Sequence, residues 1–181
     1  MIRIDRYITE KLKLNKDSVW REDEFNFHPR NKIELEDLIV DLIEARGIDA
    51  DLNDIDISKV SNLSGLFENS NARNIDISRW DVSHVTDMEN MFAFNDDFNC
   101  DLSEWNVSNV RNMSHMFNNC YKFNCDLSKW DVSNVEDMHG MFYNCHKFNH
   151  DLSDWDIKWV RDMQVMFSGC QSLKKFPKWY K

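Results

Sequence analysis

Glycine and proline are scarce in this chain, at four and two of 181 residues. That scarcity argues against an irregular fold or a small one stapled by disulfides. Basic charge is also in deficit. Twenty-two Lys and Arg face 32 Asp and Glu, for a net charge of −10, which excludes a general nucleic-acid binder because phosphate contacts need a basic face. No stretch approaches the roughly 18 consecutive apolar residues of a membrane span. The first six residues, Met1 to Arg6, lack the apolar core of a signal peptide, so an unexported, cytoplasmic chain is expected, with the cell surface as the alternative. Five cysteines (100, 120, 125, 145 and 170) are an odd number and read as reduced thiols rather than a disulfide framework. The nucleophile elbow, the phosphate-binding loop, the His-Glu-x-x-His pair and the glycine-rich nucleotide fingerprint are all missing, so no enzyme and no cofactor is expected.

What is present is aromatic and periodic. Apolar residues make up 42% of the chain and include 12 Phe and 7 Trp, enough to bury a core and too many for a disordered chain. From Asp51 the sequence realigns on itself every 25 residues without a gap, as 51–75, 76–100, 101–125, 126–150 and 151–175. A unit this short cannot bury its apolar side alone, so neighbouring copies must cover one another. The columns predict the interior. Phe67, Phe92, Phe117, Phe142 and Phe167 form one file, and Trp80, Trp105, Trp130 and Trp155 another. Met88, Met113, Met138 and Met163, with Met91, Met116, Met141 and Met166 beside them, read as core rather than as a binding groove. Cys120, Cys145 and Cys170 share a column with Ser70 and Asn95.

Within a unit, period-two alternation predicts a short strand. Phe123, Cys125 and Leu127 would face one way and Asn124, Asp126 and Ser128 the other. A turn through Trp130 to Val135 follows, and then Asp137 is placed to N-cap one or two helical turns carrying Met138, Met141 and Phe142. Asn62, Asp87, Asn112 and Asp162 are the equivalent caps. The expected fold is therefore α/β: a short right-handed parallel solenoid, leucine-rich-repeat-like, of five strand-plus-helical-turn units. Three segments are expected: residues 1–50 as an arm and capping helix (about 31–46), 51–175 as the repeats, and 176–181 as a C-terminal cap. The helix begins at a capping-box-like Asn31–Glu34 and stops at Gly47, with Ile33, Leu35, Leu38, Ile39, Leu42 and Ile43 as its apolar stripe. Residues 1–30, with Ile8, Leu12, Leu14, Trp20, Phe25 and Phe27, are expected to wrap on that cap.

The recurring DLSxWDVSNVxxMxxMFxxCxxFN pattern over 51–175 resembles the BspA-like leucine-rich repeat family, including repeats of mycoplasma-type lipoproteins, bacterial surface proteins and short bacteriophage or mobile-element proteins. The resemblance implies a binding role, as in the family's adhesins. The expected role is a non-catalytic, intracellular protein-interaction module, a phage or mobile-element protein engaging a host factor being one version, with a bacterial surface adhesin as the alternative.

Two kinds of outward column are candidates for function. Asp51, Asp76, Asp101, Asp126 and Asp151 form a polar ladder, with Asn53, Ser78, Ser103, Ser128 and Ser153 in a second and Asn74, Asn99, Asn124 and Asn149 in a third. The Asp ladder is expected to be structural, its carboxylates satisfied by nearby Ser, Asn or backbone N–H groups; a cation-binding strip is the alternative. Specific recognition should lie where copies differ, as at Asp54, Arg79, Glu104, Lys129 and Asp154, or Lys59, His84, Asn109, Asn134 and Trp159. Exposed aromatics and Arg dominate binding hot spots, so Trp159, Arg161 and Arg79, with Lys129 and Glu104, are the expected contacts. The partner would be another protein, one bearing basic patches, with no nucleic acid and no membrane insertion. The chain itself is expected to be a monomer or weak oligomer. Cys145, His146 and His150, with Cys125, match no standard zinc spacing, and no metal is expected.

Overall fold

The computed structural model describes residues 25–70 and 75–181. Asn74 and most of the N-terminal arm, including Ile8, Leu12, Leu14 and Trp20, lie outside the described residues. The described chain contains one helix, α1 (Lys32–Arg46), followed by layers of turns. Asn31 caps α1, its side chain accepting from the Glu34 N–H at 3.0 Å, while Arg30 pairs with Glu34 at 3.0 Å. Gly47 ends it at φ 92°, its N–H donating to the Ile43 carbonyl. Leu35, Ile39 and Leu42 are buried against the first repeat. Ile33, expected in that stripe, is 71% exposed and points to the opposite side with Val40. The reason is angular: at about 100° per residue, position 33 lies some 160° from position 35.

The expected α/β solenoid of strand-plus-helix units, and with it the leucine-rich-repeat-like architecture, is not what the repeats form. Among the described residues of 51–175 there is no helix, and extended pairing is limited to isolated parallel bridges such as Asp51–Asp76, Asn62–Asp87 and Asp137–Asp162. Each unit is instead a layer of successive tight turns. The alternation at Phe123 to Ser128 survives as burial, with Phe123, Cys125 and Leu127 inside, but without a strand. The supposed helical turn fails for a backbone reason. Two columns per layer sit at positive φ: Gly65, Asn90, His115, Gly140 and Val165 in one, Asn69, Phe94, Asn119, Asn144 and Gly169 in the other. A left-handed residue every fourth position interrupts a right-handed helix after one turn.

The hydrogen bonds freed by that interruption hold the layers together. The Met91 N–H donates within its own layer to the Met88 carbonyl, and Met116 and Met141 do the same to Met113 and Met138. The residues between them donate across layers. Leu63, Gly65, Phe67 and Asn69 donate to the carbonyls of Asp87, Glu89, Met91 and Ala93, and the same four-bond comb recurs from each layer to the next. Every copy thus lies beside its neighbour at a constant offset.

Side chains repeat the pattern. Phe67, Phe92, Phe117, Phe142 and Phe167 stack with centroids 5.5 to 5.7 Å apart. Phe98, Phe123 and Phe148 form a second file packed on the first, for example 4.0 Å between Phe117 and Phe123. The indole N–H groups of Trp80, Trp105, Trp130 and Trp155 donate to the carbonyls of Leu52, Ile77, Leu102 and Leu127 in the preceding layer. The thiols of Cys120, Cys145 and Cys170 donate to Phe92, Phe117 and Phe142, each at 3.0 Å. Trp179 continues the Trp file at the C-terminal side. It lies 6.5 Å from Trp155, and its indole N–H donates to the Leu152 carbonyl.

Candidate functional site

The three polar corners of each layer have one chemistry. Oδ1 of Asp51, Asp76, Asp101, Asp126 and Asp151 accepts the N–H two residues on, at 2.9 to 3.0 Å. The same bond recurs at Asp56, Asp81, Asn106, Asp131 and Asp156. It recurs again at Asn62, Asp87, Asn112, Asp137 and Asp162, the residues expected to cap helices. These are Asx turns, in which a short carboxylate or amide mimics a backbone acceptor. Hydrogen bonds from the Ser78 side chain and backbone hold Asp76 below the ordinary carboxylate range, and the bonds from Ser103, Ser128 and Ser153 do the same for Asp101, Asp126 and Asp151. The Asn ladder is also engaged in the backbone, Asn99 Oδ1 accepting from Asn124 N–H and Asn124 Oδ1 from Asn149 N–H.

The nominated contact residues fall into two groups. Arg79, Glu104 and Lys129 are exposed and follow one another in one column over three layers. Trp159 and Arg161 belong to the last layer, and among the described residues no hydrogen bond or ion pair joins them to the first group. Trp159 is 56% exposed with the Lys158 ammonium 5.0 Å from its ring centroid. Its column elsewhere is structural: His84 reaches the Ile57 carbonyl, Asn109 that of Ser83, and Asn134 that of Ser108. Arg161 pairs with Glu136 at 3.0 Å, and Glu136 also binds Arg111 at 3.1 Å. Phe94 was missed although it is 48% exposed; its signal is an aromatic in a column otherwise of Asn and Gly.

The side chains of the metal-like cluster are each engaged elsewhere among the described residues. Cys145 is committed to the Phe117 carbonyl, His146 stacks on Tyr121 and His150 bonds the Asn124 carbonyl. Among the described residues no three His, Cys, Asp or Glu side chains come together as a metal site. Burial pushes the thiols up, to about 11 for Cys100 and Cys125 and about 12 for Cys170. A shallow cleft lined by Lys32, Glu36, Ser64, Glu68 and Glu89 is polar and open, and its Lys32 ammonium is bound by Ser64 and Glu36. No described helix is long and apolar enough to cross a membrane.

His115 and His139 meet edge to face at 4.9 Å, in adjacent layers. Burial and then the His139 charge lower the His115 pKa, against the opposing pull of Glu89, Asp137 and Asp162. A base whose folded pKa is depressed binds its proton more tightly when unfolded, so its stability contribution is full above about 6.5 and is lost as pH falls below that value. The melting temperature should therefore drop between pH 7 and pH 5, before the carboxylates titrate. His115→Asn keeps a residue suited to positive φ, as Asn90 does one layer earlier, and should flatten that drop. An unchanged pH profile in the variant would reject the assignment.

Comparison with known proteins gives one family. The model described as "Mycoplasma protein of unknown function, DUF285" matches residues 38–129 and 61–179. No curated protein and no solved structure matches the chain. With the matched residues spanning well over half its length, the chain belongs to the DUF285 family of mycoplasma-type repeat proteins.

Proposed function

We propose that this chain is a non-catalytic protein-interaction module, and that Trp159 with Arg161 forms its main contact. The observation that carries this reading is the last layer's departure from its own column: where other layers use His84, Asn109 or Asn134 to bind the preceding layer, this one presents an exposed indole beside Lys158 and Arg161. An exposed Trp flanked by cations is the residue chemistry that dominates binding hot spots. The resemblance to BspA-like repeat proteins, whose adhesins bind other proteins, supports the same class, with a surface adhesin as the alternative setting. A cytoplasmic setting fits five cysteines that form no disulfide. On this reading the Asp ladder is structural, Oδ1 of each carboxylate accepting a hydrogen bond within its own turn.

Affinity capture from the source cell, compared between the unchanged chain and the Trp159→Ala/Arg161→Ala variant, tests this. The captured partner should fall by about tenfold or more, as expected for two hot-spot residues, with the melting temperature unchanged because both side chains are exposed. Equal recovery would reject these residues as the contact.

A further inference from the structure

We propose that the C-terminal end of the stack is a docking edge that takes an acidic peptide segment of a partner protein, wound through the same turns, as one further layer. The proposal goes beyond the Trp159 reading: it rests on backbone N–H groups and shares with that reading only the charges of Lys158 and Arg161. In each earlier layer four alternate N–H groups donate to the following layer; in the last, among the described residues, those of Met163, Val165, Phe167 and Gly169 donate to nothing. Four donors at every second residue are an unfilled edge of the same comb: Val165 and Gly169 sit at positive φ, as Asn90 and Phe94 do, so an incoming segment must supply its carbonyls from a chain turned in the same way.

The apolar surface at that end is uncovered to match. Val110, Val135, Met113 and Met138 are fully buried, whereas their equivalents Val160 and Met163 are only partly buried, and Val165 is 43% exposed. Trp179 and Tyr180 cover Phe167 and the Trp file, and leave the turns of 157–169 open. At the opposite end the equivalent positions Ile57, Val60 and Leu63 are buried, with α1 packed into the same core. Among the described residues the stack is covered on one side and open on the other.

Charge selects the occupant. From residue 151 on, Lys158, Arg161, Lys174, Lys175, Lys178 and Lys181 outnumber Asp151, Asp154, Asp156 and Asp162, in a chain that is otherwise strongly acidic. An excess of basic side chains in the layer and tail that carry these donor N–H groups and apolar side chains calls for a segment with acidic and apolar residues. The molecule contains the template for one. Thr86–Asn99 has Asp87, Glu89, Asp96 and Asp97 and no Lys or Arg, and its carbonyls at 87, 89, 91 and 93 accept the four-bond comb of the first layer.

A synthetic peptide of residues 86–99 is therefore the probe, titrated into the full chain with amide exchange followed by NMR. Saturable binding is expected, with the amides of Met163, Val165, Phe167 and Gly169 gaining protection. Binding should weaken by about tenfold between low and high salt. It should also weaken about tenfold in Lys174→Glu/Lys175→Glu/Lys178→Glu, and less in the Gln counterparts, which guard against misfolding. Absence of saturation at millimolar peptide, equal binding of a scrambled peptide of the same composition, or protection at other amides would overturn the proposal. So would protection of those four amides by self-association of the chain alone, which would give the edge to a second copy. Failure here leaves the Trp159 contact standing, because the Trp159→Ala/Arg161→Ala variant retains all four N–H groups.

Discussion

Phe117→Ala should destabilise the chain by about 3–5 kcal/mol, the range for removing a fully buried aromatic ring from a core. Phe117 is completely buried in the third layer. It stacks between Phe92 and Phe142 at 5.5 and 5.7 Å and lies 4.0 Å from Phe123. Its loss opens a cavity that neighbouring layers cannot close, because the comb of inter-layer hydrogen bonds fixes their spacing. Phe167→Ala should cost less. Phe167 has a Phe of the same file on one side only, and its other contacts are Phe148 and the aromatics at 176, 179 and 180. Urea denaturation measures both. A fall in the denaturant slope for Phe117→Ala alone would show the two halves of the stack uncoupling, as expected for a nearest-neighbour array with a central defect. A loss below about 1 kcal/mol would remove the ring file as the main source of stability, since it would be no larger than an average point substitution.

The spacing of that file was readable without coordinates, because a gapless 25-residue period fixes which residues sit above one another whatever the backbone does between them. The path of the backbone was not readable by the same means. Alternation at Phe123 to Ser128 and the Met138–Met141–Phe142 spacing are satisfied by tight turns as well as by a strand and a helix, since both patterns report only which side chains are inside. The decisive signal lay in two less conspicuous columns. Gly65, Asn90, His115 and Gly140, and Asn69, Asn119, Asn144 and Gly169, are residue types that tolerate positive φ, but Phe94 and Val165 break the two series. The Asp ladder is visible in the sequence, but its chemistry is shared by two further corners of each layer, whose residues suit a plain turn and a helix cap equally well. Trp179 escaped alignment because it sits one residue out of register, yet its indole N–H finds the Leu152 carbonyl. Trp159 was found as an oddity of its column. The open edge could not be, because a backbone N–H without a partner has no residue type to mark it.

Gly140→Val and Val165→Gly test that backbone account in opposite directions. Both residues occupy the same column at φ 57° and 51°. Gly140 is buried, and a Cβ there would lie 2.6 Å from His115 Nδ1, whose ring is held by Asn118 and packed on His139. Valine at this position meets left-handed strain of about 1–2 kcal/mol and overpacking of about 1–3 kcal/mol, offset by about 0.5–1 kcal/mol of unfolded-chain entropy. A net loss of about 1–4.5 kcal/mol follows from those terms. Val165 bears the same conformational strain in the last layer, where the space beside it is open. Val165→Gly removes about 1–2 kcal/mol of strain and forfeits about 0.5–1 kcal/mol of chain entropy, so it should be neutral to mildly stabilising. Chemical denaturation of the two variants decides the matter. Equal and opposite shifts would mean that φ alone sets the cost, whereas a larger loss at 140 than gain at 165 shows that close approach between layers adds to it. A stable Gly140→Val variant would refute the left-handed turn that replaces the expected helix, and with it the comb of N–H groups on which the docking edge depends.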